Sequence, residues 1–240
     1  MRKQRAPLGW PRRDPKRYRF PVPNEVWEYK LQPTEFVVFS YLCCQRAHDR
    51  GEKEICAQAV ASSLHLTTAT VKKHLSTLLS KGLVTEDGTL APKCEAGKFF
   101  SLPNEVFLLS LPPSAFLVYA CLLYCEDRRT HQCHPSYRTI ARATGLSLNT
   151  AAKSVGVLVE WNLITVERSH WFNEVGMKRN GNNIYTICPI QEAVDYYNEQ
   201  QLQRLEADVE RQRAQARLSR LCAPQEPLSS AGHPTIPPAT

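Results

Sequence analysis

The apolar and polar positions of this chain repeat with an offset of 80 residues. When residues 20–85 are aligned with residues 100–165 without a gap, 17 of 66 positions are identical, and further positions exchange one apolar residue for another. This internal repeat predicts two small domains, 20–99 and 100–188. A solenoid is not expected, because it needs at least ~3 short repeats to bury a core.

Each repeat opens with an apolar helix. The pattern predicts helices from Thr34 to near Arg46 and from Ser114 to near Asp127, with Thr34 and Ser114 as N-caps after a proline. Five apolar positions recur and predict the buried face: Phe36, Val37, Phe39, Tyr41 and Leu42 in the first repeat, and Phe116, Leu117, Tyr119, Cys121 and Leu122 in the second.

Two short helices separated by a tight turn follow in each repeat. In the second repeat, Ser136 is predicted to cap Tyr137–Thr144, Gly145 to form the turn, and Ser147 to cap a helix from Leu148 to near Trp161. A small alanine lies where the two helices are predicted to cross, and apolar residues are predicted to pack between the two helices and hold them together. This pattern is typical of a helix-turn-helix.

The first repeat contains the same pattern in register, with His65 at the position of Gly145. Histidine adopts positive φ more readily than most residues, so the turn is retained. The positions that lock the helix pair are Leu146, Ala151, Val155 and Leu158 in the second repeat, and Leu66, Val71, Leu75 and Leu78 in the first.

A β-rich stretch follows each helix pair, at Leu83–Thr85 and Leu163–Glu167. In the second repeat a returning strand at 183–187 predicts a hairpin whose connecting wing, 168–182, is basic. In the first repeat, a turn at 87–88 with a return strand near Lys98–Phe100 predicts a shorter, acidic wing. The second repeat is therefore expected to carry more of any phosphate binding.

The formal charge of +7 lies entirely in residues 1–19, a Pro-rich arm predicted to be disordered. Such an arm suits a polyanion, since each cation that neutralises a phosphate releases counterions. A solubilising tail or a targeting signal is the alternative. The arm residues considered for phosphate contact are Arg12, Arg13, Lys16 and Arg17.

The motif Leu111-x-Pro113-x2-Phe116, followed by Pro135-Ser136-Tyr137 and Gly145-Leu146-Ser147, resembles a bacterial winged helix-turn-helix family. Its members include replication initiators and replisome organisers of phages, plasmids and integrative elements. The resemblance spans about residues 20–188 and implies a winged-helix fold, DNA binding and a role in replication. Transcriptional regulators use the same module. The first repeat departs from the motif at Ile55-Cys56, which replaces the Pro-Ser pair.

Burial of the locking residues turns the opposite side of each second helix outward, toward a DNA major groove. A solvated helix face is the alternative for any single residue. The candidate DNA-binding residues outside the arm are Thr68, Ala69, Lys72, Lys73, Ser76, Ser136, Arg138, Ser147, Asn149, Thr150, Lys153, Arg168, Lys178 and Arg179. Leu148, Ala152 and Gly156 also face outward by the same periodicity.

The sequence contains few features that would support catalysis. His131, Cys133 and His134, with Cys121 and Cys125, resemble a zinc-ligand cluster, but the chain lacks a paired Cys-x2-Cys frame. Neither the His-apolar-His motif of rolling-circle nucleases nor a phosphate-binding Gly-x4-Gly-Lys-Ser/Thr loop occurs. We therefore expect neither an enzyme nor a cofactor nor a metal.

A charged helix is predicted at 189–222, and a Pro- and Ser-rich tail at 223–240 is predicted to be disordered. The helix could mediate self-association or dock a helicase loader, or could simply be solvated. No apolar run approaches the ~18 residues that span a bilayer, and the nine cysteines lack disulfide-like spacing. These features predict a cytoplasmic protein without membrane contact.

The predicted fold class is mainly α with small β-hairpin wings: tandem duplicated winged helix-turn-helix domains followed by a charged helix. The predicted function is sequence-specific binding of double-stranded DNA, as a replication initiator or origin-binding protein of a mobile element. A transcriptional regulator of such an element, or a docking scaffold for replication proteins, is the alternative.

Overall fold

The computed structural model of the protein describes residues 18–48, 55–87, 89–91, 97–172 and 178–221, without the side chains of 170–180, 220 and 221. The chain divides into two compact units, Met1–Tyr197 and Asn198–Thr240. Both repeats belong to the first unit. The predicted arm and tail lie almost wholly outside the described residues.

The elements of the first repeat follow the sequence pattern closely. Strand β1 leads into a 3-10 helix, and a long apolar helix precedes the predicted helix pair. Their bounds are β1 Arg19–Pro23, 3-10 helix Asn24–Tyr29, α1 Pro33–His48, α2 Ala57–Leu64 and α3 Thr68–Ser80.

The second repeat contains the same elements at the same 80-residue offset and adds a three-stranded sheet. The elements are β2 Phe99–Pro103, 3-10 helix Asn104–Leu109, α4 Pro113–Cys125, β3 Gln132–Cys133, α5 Tyr137–Thr144, α6 Leu148–Glu160, β4 Ile164–Phe172 and β5 Lys178–Ile187. Helix α7, Ile190–Leu221, ends the described chain where the charged helix was predicted.

Two antiparallel sheets organise the first unit. In one, β1 of the first repeat pairs with β2 of the second, from Arg19 opposite Pro103 to Pro23 opposite Phe99. In the other, the order is β3-β5-β4. Arg19 therefore belongs to a strand rather than to the arm, and its guanidinium donates a hydrogen bond to the Ser101 carbonyl at 2.6 Å.

The two repeats share one hydrophobic core. The boundary predicted at 99/100 falls inside β2, whose strand partner lies in the other repeat. Aromatic rings also cross between repeats, since Trp27 stacks on Phe100 with ring centroids 5.8 Å apart. The limits 20–99 and 100–188 remain predictions for the extent of each repeat, and the division into compact units falls instead after Tyr197.

The helix starts correct one sequence prediction. Helices α1 and α4 begin at Pro33 and Pro113, so Thr34 and Ser114 lie inside the first turn instead of capping it. Proline suits the first helical position because its φ is already helical and its missing N–H would have no partner there. The α4 start has no side-chain cap.

The buried faces of the two apolar helices differ in extent. In α4, all five predicted positions are buried, whereas in α1 Val37 and Tyr41 are only partly buried. Val37 lines an apolar cleft beside Leu64, and the ring of Tyr41 meets Phe107 edge-on at 5.2 Å. Both side chains thus pack against neighbouring elements without reaching the centre of the core.

The first repeat turns back earlier than predicted. Val84 bridges Leu90, and the N–H of Thr85 donates to the Thr89 carbonyl at 2.8 Å. The return strand expected near Lys98–Phe100 is wrong, because Phe99 and Phe100 begin β2 and pair with β1.

The first turns of α7 pack on the second repeat. The ring of Trp161 stacks on Tyr197 at 5.6 Å, and Ala193 is fully buried. Within Asn198–Leu221, Leu205, Val209 and other apolar side chains are exposed. Among the described residues, no helix combines the length and apolar character that crossing a bilayer requires.

Candidate nucleic-acid interface

The helix pair of the second repeat is fixed by two hydroxyl caps and one glycine. Ser136 Oγ accepts a hydrogen bond from the Thr139 N–H at 3.1 Å, which starts α5, and Ser147 Oγ accepts from the Thr150 N–H at 3.1 Å, which starts α6. Between them, Gly145 has φ 69°. The predicted bounds and caps of α5 and the start of α6 are confirmed.

The first repeat builds the same turn without a glycine. His65 adopts φ 53°, and the following N–H of Leu66 donates to the Ala61 carbonyl at 2.9 Å, closing the end of α2. Thr67 Oγ1 then accepts from the Thr70 N–H at 3.2 Å and starts α3. In both repeats, a residue with positive φ therefore forms the turn. A serine or threonine hydroxyl then caps the helix that follows, by accepting a hydrogen bond from the N–H three residues later.

The inner faces of α3 and α6 pack as the sequence predicts. Ala151, Val155 and Leu158 of α6 are buried, and so are Val71 and Leu78 of α3. Leu66, Leu75 and Leu146 are partly buried and pack against the core. This anchoring fixes which side of each helix meets solvent.

The outer faces carry the candidate contacts. On α6, Asn149 and Lys153 lie one helical turn apart and are both exposed. On α3 the exposed candidates are Ala69, Lys72, Lys73 and Ser76, whereas Thr68 is partly buried. Leu148 at the start of α6 is 51% exposed, and Ala152 is partly buried.

The cap hydroxyls are already engaged within the protein. Ser147 Oγ lies 2.8 Å from Thr150 Oγ1, and Ser136 Oγ lies 2.8 Å from Thr139 Oγ1. Contacts from Ser136, Ser147 and Thr150 to a phosphate would therefore use the hydroxyl proton that each Ser–Thr pair leaves unused, together with N–H groups of the helix starts.

Helix α5 adds basic charge beside its cap. Arg138 is exposed in the first turn. Arg142 is also exposed in the last turn, and the sequence reasoning omitted it. The spacing of four residues from Arg138 puts both side chains on one face of α5 and could have revealed the second arginine.

The two strands of the second repeat's hairpin are longer than predicted and continue into the wing. Strands β4 and β5 extend past the expected hairpin, pairing Trp171 with Arg179 and Phe172 with Lys178, and the register shifts between Arg168 and His170. Arg168 is exposed beside this irregularity. The backbone thus places Lys178 and Arg179 at the start of the returning strand, while their side chains lie outside the described residues.

The corresponding turn of the first repeat contains exposed Glu86 and Asp87. An acidic turn repels phosphate, so the basic wing is confined to the second repeat within the described chain. The arm residues Arg12, Arg13, Lys16 and Arg17 lie outside the described residues.

Two cysteines of the cysteine and histidine cluster are packed in the protein interior. Cys121 and Cys133 are each 2% exposed, Cys133 within β3, and His131 Nδ1 lies 2.8 Å from Glu126 Oε1. Across the described ranges, no group of three or more histidine, cysteine or acidic residues is arranged to hold a metal. Cys125 is exposed, and a hydrogen bond with the Cys121 thiol lowers its pKa to about 7. Partial desolvation by the surrounding protein atoms acts in the opposite direction and raises the pKa, but it is the smaller effect.

One protein family is similar to part of the second repeat. Residues 109–164 match the family of helix-turn-helix domains, a segment that runs from the end of the second 3-10 helix through α4, α5 and α6. These residues therefore form a helix-turn-helix domain, which supports binding of the chain to double-stranded DNA.

One similar solved structure is described as a possible transcriptional regulator from Methanosarcina mazei Go1. It shares 18% sequence identity with this chain at a TM-score of 0.31, over 49% of this chain and 94% of that chain. No curated protein matches the chain.

Proposed function

We propose that this protein binds double-stranded DNA in a sequence-specific manner, with the outer faces of α6 and α3 in the major groove. The observation that supports the proposal most is that α6 has one exposed polar face and one buried apolar face. Asn149 and Lys153 are exposed on one side, while Ala151, Val155 and Leu158 fix the other side in the core. A packed helix-turn-helix presents a recognition helix in this manner.

The chemistry of the α6 face suits base edges and phosphates. The amide of Asn149 can donate to adenine N7 and accept from adenine N6, and the ammonium of Lys153 can donate to guanine or to a phosphate. The start of α6 adds backbone N–H groups and the positive end of a helix dipole, which favour an anion. The exposed Arg138 and Arg168 provide further phosphate contacts around this helix.

The proposed biological role is that of a replication initiator that marks an origin of a plasmid, phage or integrative element. Support for this role comes from the sequence resemblance to initiator and replisome-organiser winged helices. A transcriptional regulator of such an element would use the same faces, so that role is the second candidate. Both are binding functions without a catalytic step.

Nuclease protection of the DNA that surrounds the protein's own gene tests the proposal. Protection of several repeated sites in an untranscribed, AT-rich segment supports the initiator, whereas protection of a promoter supports the regulator. If duplex DNA at low salt bound no better than ~0.1 mM, weaker than ordinary non-specific binding, a docking scaffold for replication proteins would replace both. Metal-dependent nicking of the DNA by the purified protein would overturn the absence of catalysis.

A further inference from the structure

The centre of the β1–β2 pairing is formed by two residues that are equivalent in the two repeats. Pro21 lies opposite Ser101 in the middle of the five-residue register, and the alignment of the repeats matches the same two residues to each other. An antiparallel pair formed by equivalent strands and centred on equivalent residues is related by a two-fold axis. The axis passes between Pro21 and Ser101.

The aromatic core obeys the same symmetry. Trp27 stacks on Phe100 at 5.8 Å, and its equivalent Phe107 stacks on Phe20 at 5.7 Å. Each ring also stacks on a ring of the apolar helix in its own repeat. The centroid distance is 5.4 Å for Trp27 on Phe36 and 5.5 Å for Phe107 on Phe116. These contacts are reciprocal, as in an isologous interface.

Two equivalent residues also meet each other directly. Phe36 of α1 and Phe116 of α4 have ring centroids 6.0 Å apart. Residues that contact their own equivalents lie beside a two-fold axis, so this pair provides a second point on it. The repeats follow one another in the sequence, but in space one is related to the other by a rotation about this two-fold axis.

Helices α3 and α6 occupy equivalent positions in the two repeats, so the same two-fold relates them. Their exposed Lys73 and Lys153 are equivalent residues of the alignment. A duplex has local two-fold axes perpendicular to its length, and symmetric dimers use them to read palindromic sites. We infer that a single chain recognises two half-sites in inverted orientation within one duplex, acting as a dimer contained in one polypeptide.

This inference rests on the proposed DNA-binding function and specifies its substrate. The two half-sites differ in sequence because the faces that read them differ. Asn149 of α6 is replaced by Ala69 in α3, which has no amide to pair with adenine. The site is therefore an imperfect inverted repeat, with adenine selected in the α6 half and phosphate contacts shared by both halves.

Selection from a pool of duplexes with about 30 random base pairs, three helical turns, tests the inference with the full chain. The expected enriched motif contains two inverted half-sites centred about 10 base pairs, or a whole multiple of one turn, apart. Sedimentation should show one chain per duplex. Reversing one half-site to a direct orientation should weaken binding by at least about tenfold.

Variants assign each helix to its half-site. Selection with Asn149→Ala should relax the α6 half of the motif and leave the other half unchanged, because Asn149 is the residue that selects adenine. Arg204→Ala, which removes one exposed cation outside both helices, should leave both halves intact. An enriched direct repeat, a single half-site, two chains on one inverted site, or relaxation of both halves by Asn149→Ala overturns the inference. Failure to enrich any sequence overturns the sequence-specific function itself, a result distinct from these four.

Discussion

Lys81 Nζ lies 3.1 Å from Glu35 Oε2, and the same carboxylate accepts a hydrogen bond from the Gln32 N–H at 3.0 Å, at the start of α1. The second repeat has replaced this pair with Ala115 and Trp161. The side chain of Glu35 is only 9% exposed, so the carboxylate depends on both partners. The first repeat thus connects the start of α1 to the residue that follows α3 by a polar contact, and the second repeat has apolar residues at both positions.

Replacing Glu35 should destabilise the protein. Glu35→Ala leaves the Gln32 N–H without an acceptor, and the Lys81 ammonium keeps a longer hydrogen bond to the Tyr29 carbonyl at 3.4 Å. We therefore expect a loss of about 1–3 kcal/mol in the free energy of unfolding. Glu35→Gln should lose less because its amide oxygen still accepts from Gln32. Urea denaturation measures both, with the exposed Glu28→Ala as a control. Equal midpoints for Glu35→Ala and the wild type would show that the contact contributes nothing.

The Ser147 hydroxyl allows helix capping to be separated from DNA binding. Ser147→Ala should cost about 1 kcal/mol of stability through loss of the cap. Ser147→Asp keeps a capping oxygen and adds a negative charge where a phosphate is expected, so it should retain stability while weakening duplex binding. Thermal unfolding and fluorescence anisotropy measure the two effects. Undiminished DNA affinity in Ser147→Asp would place the phosphate backbone away from the α6 start.

The exposed lysines of α3 and α6 should contribute directly to DNA affinity. We expect Lys153→Ala and Lys73→Ala each to weaken binding to the selected duplex by about 1–3 kcal/mol, because each removes a cation that faces a base edge or a phosphate. Both side chains are exposed, so the unfolding midpoint should not change. Anisotropy titrations measure the loss. Wild-type affinity in either variant would indicate that its helix face is simply solvated.

The basic arm should act through phosphates alone. Deletion of residues 1–17 removes seven cations and leaves Arg19 in its strand. The slope of log affinity against log salt should become shallower by at least about 2, corresponding to two or more lost phosphate contacts at ~0.9 each. The preference between selected and scrambled duplexes should persist. An unchanged slope would show that the arm does not touch the DNA backbone.

Cys125 should be the thiol of this helix cluster that reacts at neutral pH. Its pKa is lowered to about 7 by the Cys121 hydrogen bond, whereas burial raises the pKa of Cys133 to about 12. A lowered pKa populates the thiolate from near pH 7 upward, so iodoacetamide should modify Cys125 long before Cys133. Cys121→Ala removes the hydrogen-bond donor and should slow Cys125 roughly five- to tenfold at pH 7. Mass spectrometry of alkylated peptides measures these rates, and equal rates with and without Cys121 would contradict the assignment.

Local features of the sequence predicted the helix pairs well. Ser147, Gly145 and Ser136 define starts and ends through their own hydroxyls and conformations, and these effects extend over only a few residues. The periodicity of Ala151 and its apolar neighbours then determined which side of α6 is exposed. The first helices were less accurately bounded, because Thr34 and Ser114 compete with prolines that start a helix equally well.

The sequence by itself determined the repeated helix pairs, their caps and the exposed position of Lys153, since all of these depend on short-range spacing. The tertiary structure decided that β1 pairs with β2 and that one repeat is inverted relative to the other. An 80-residue offset is the same whether two copies are related by a translation or by a two-fold rotation. The pairing of β1 with β2 and the stacking of Trp27 and Phe107 on the opposite repeat select the rotation, and such long-range contacts leave no local signal in the chain.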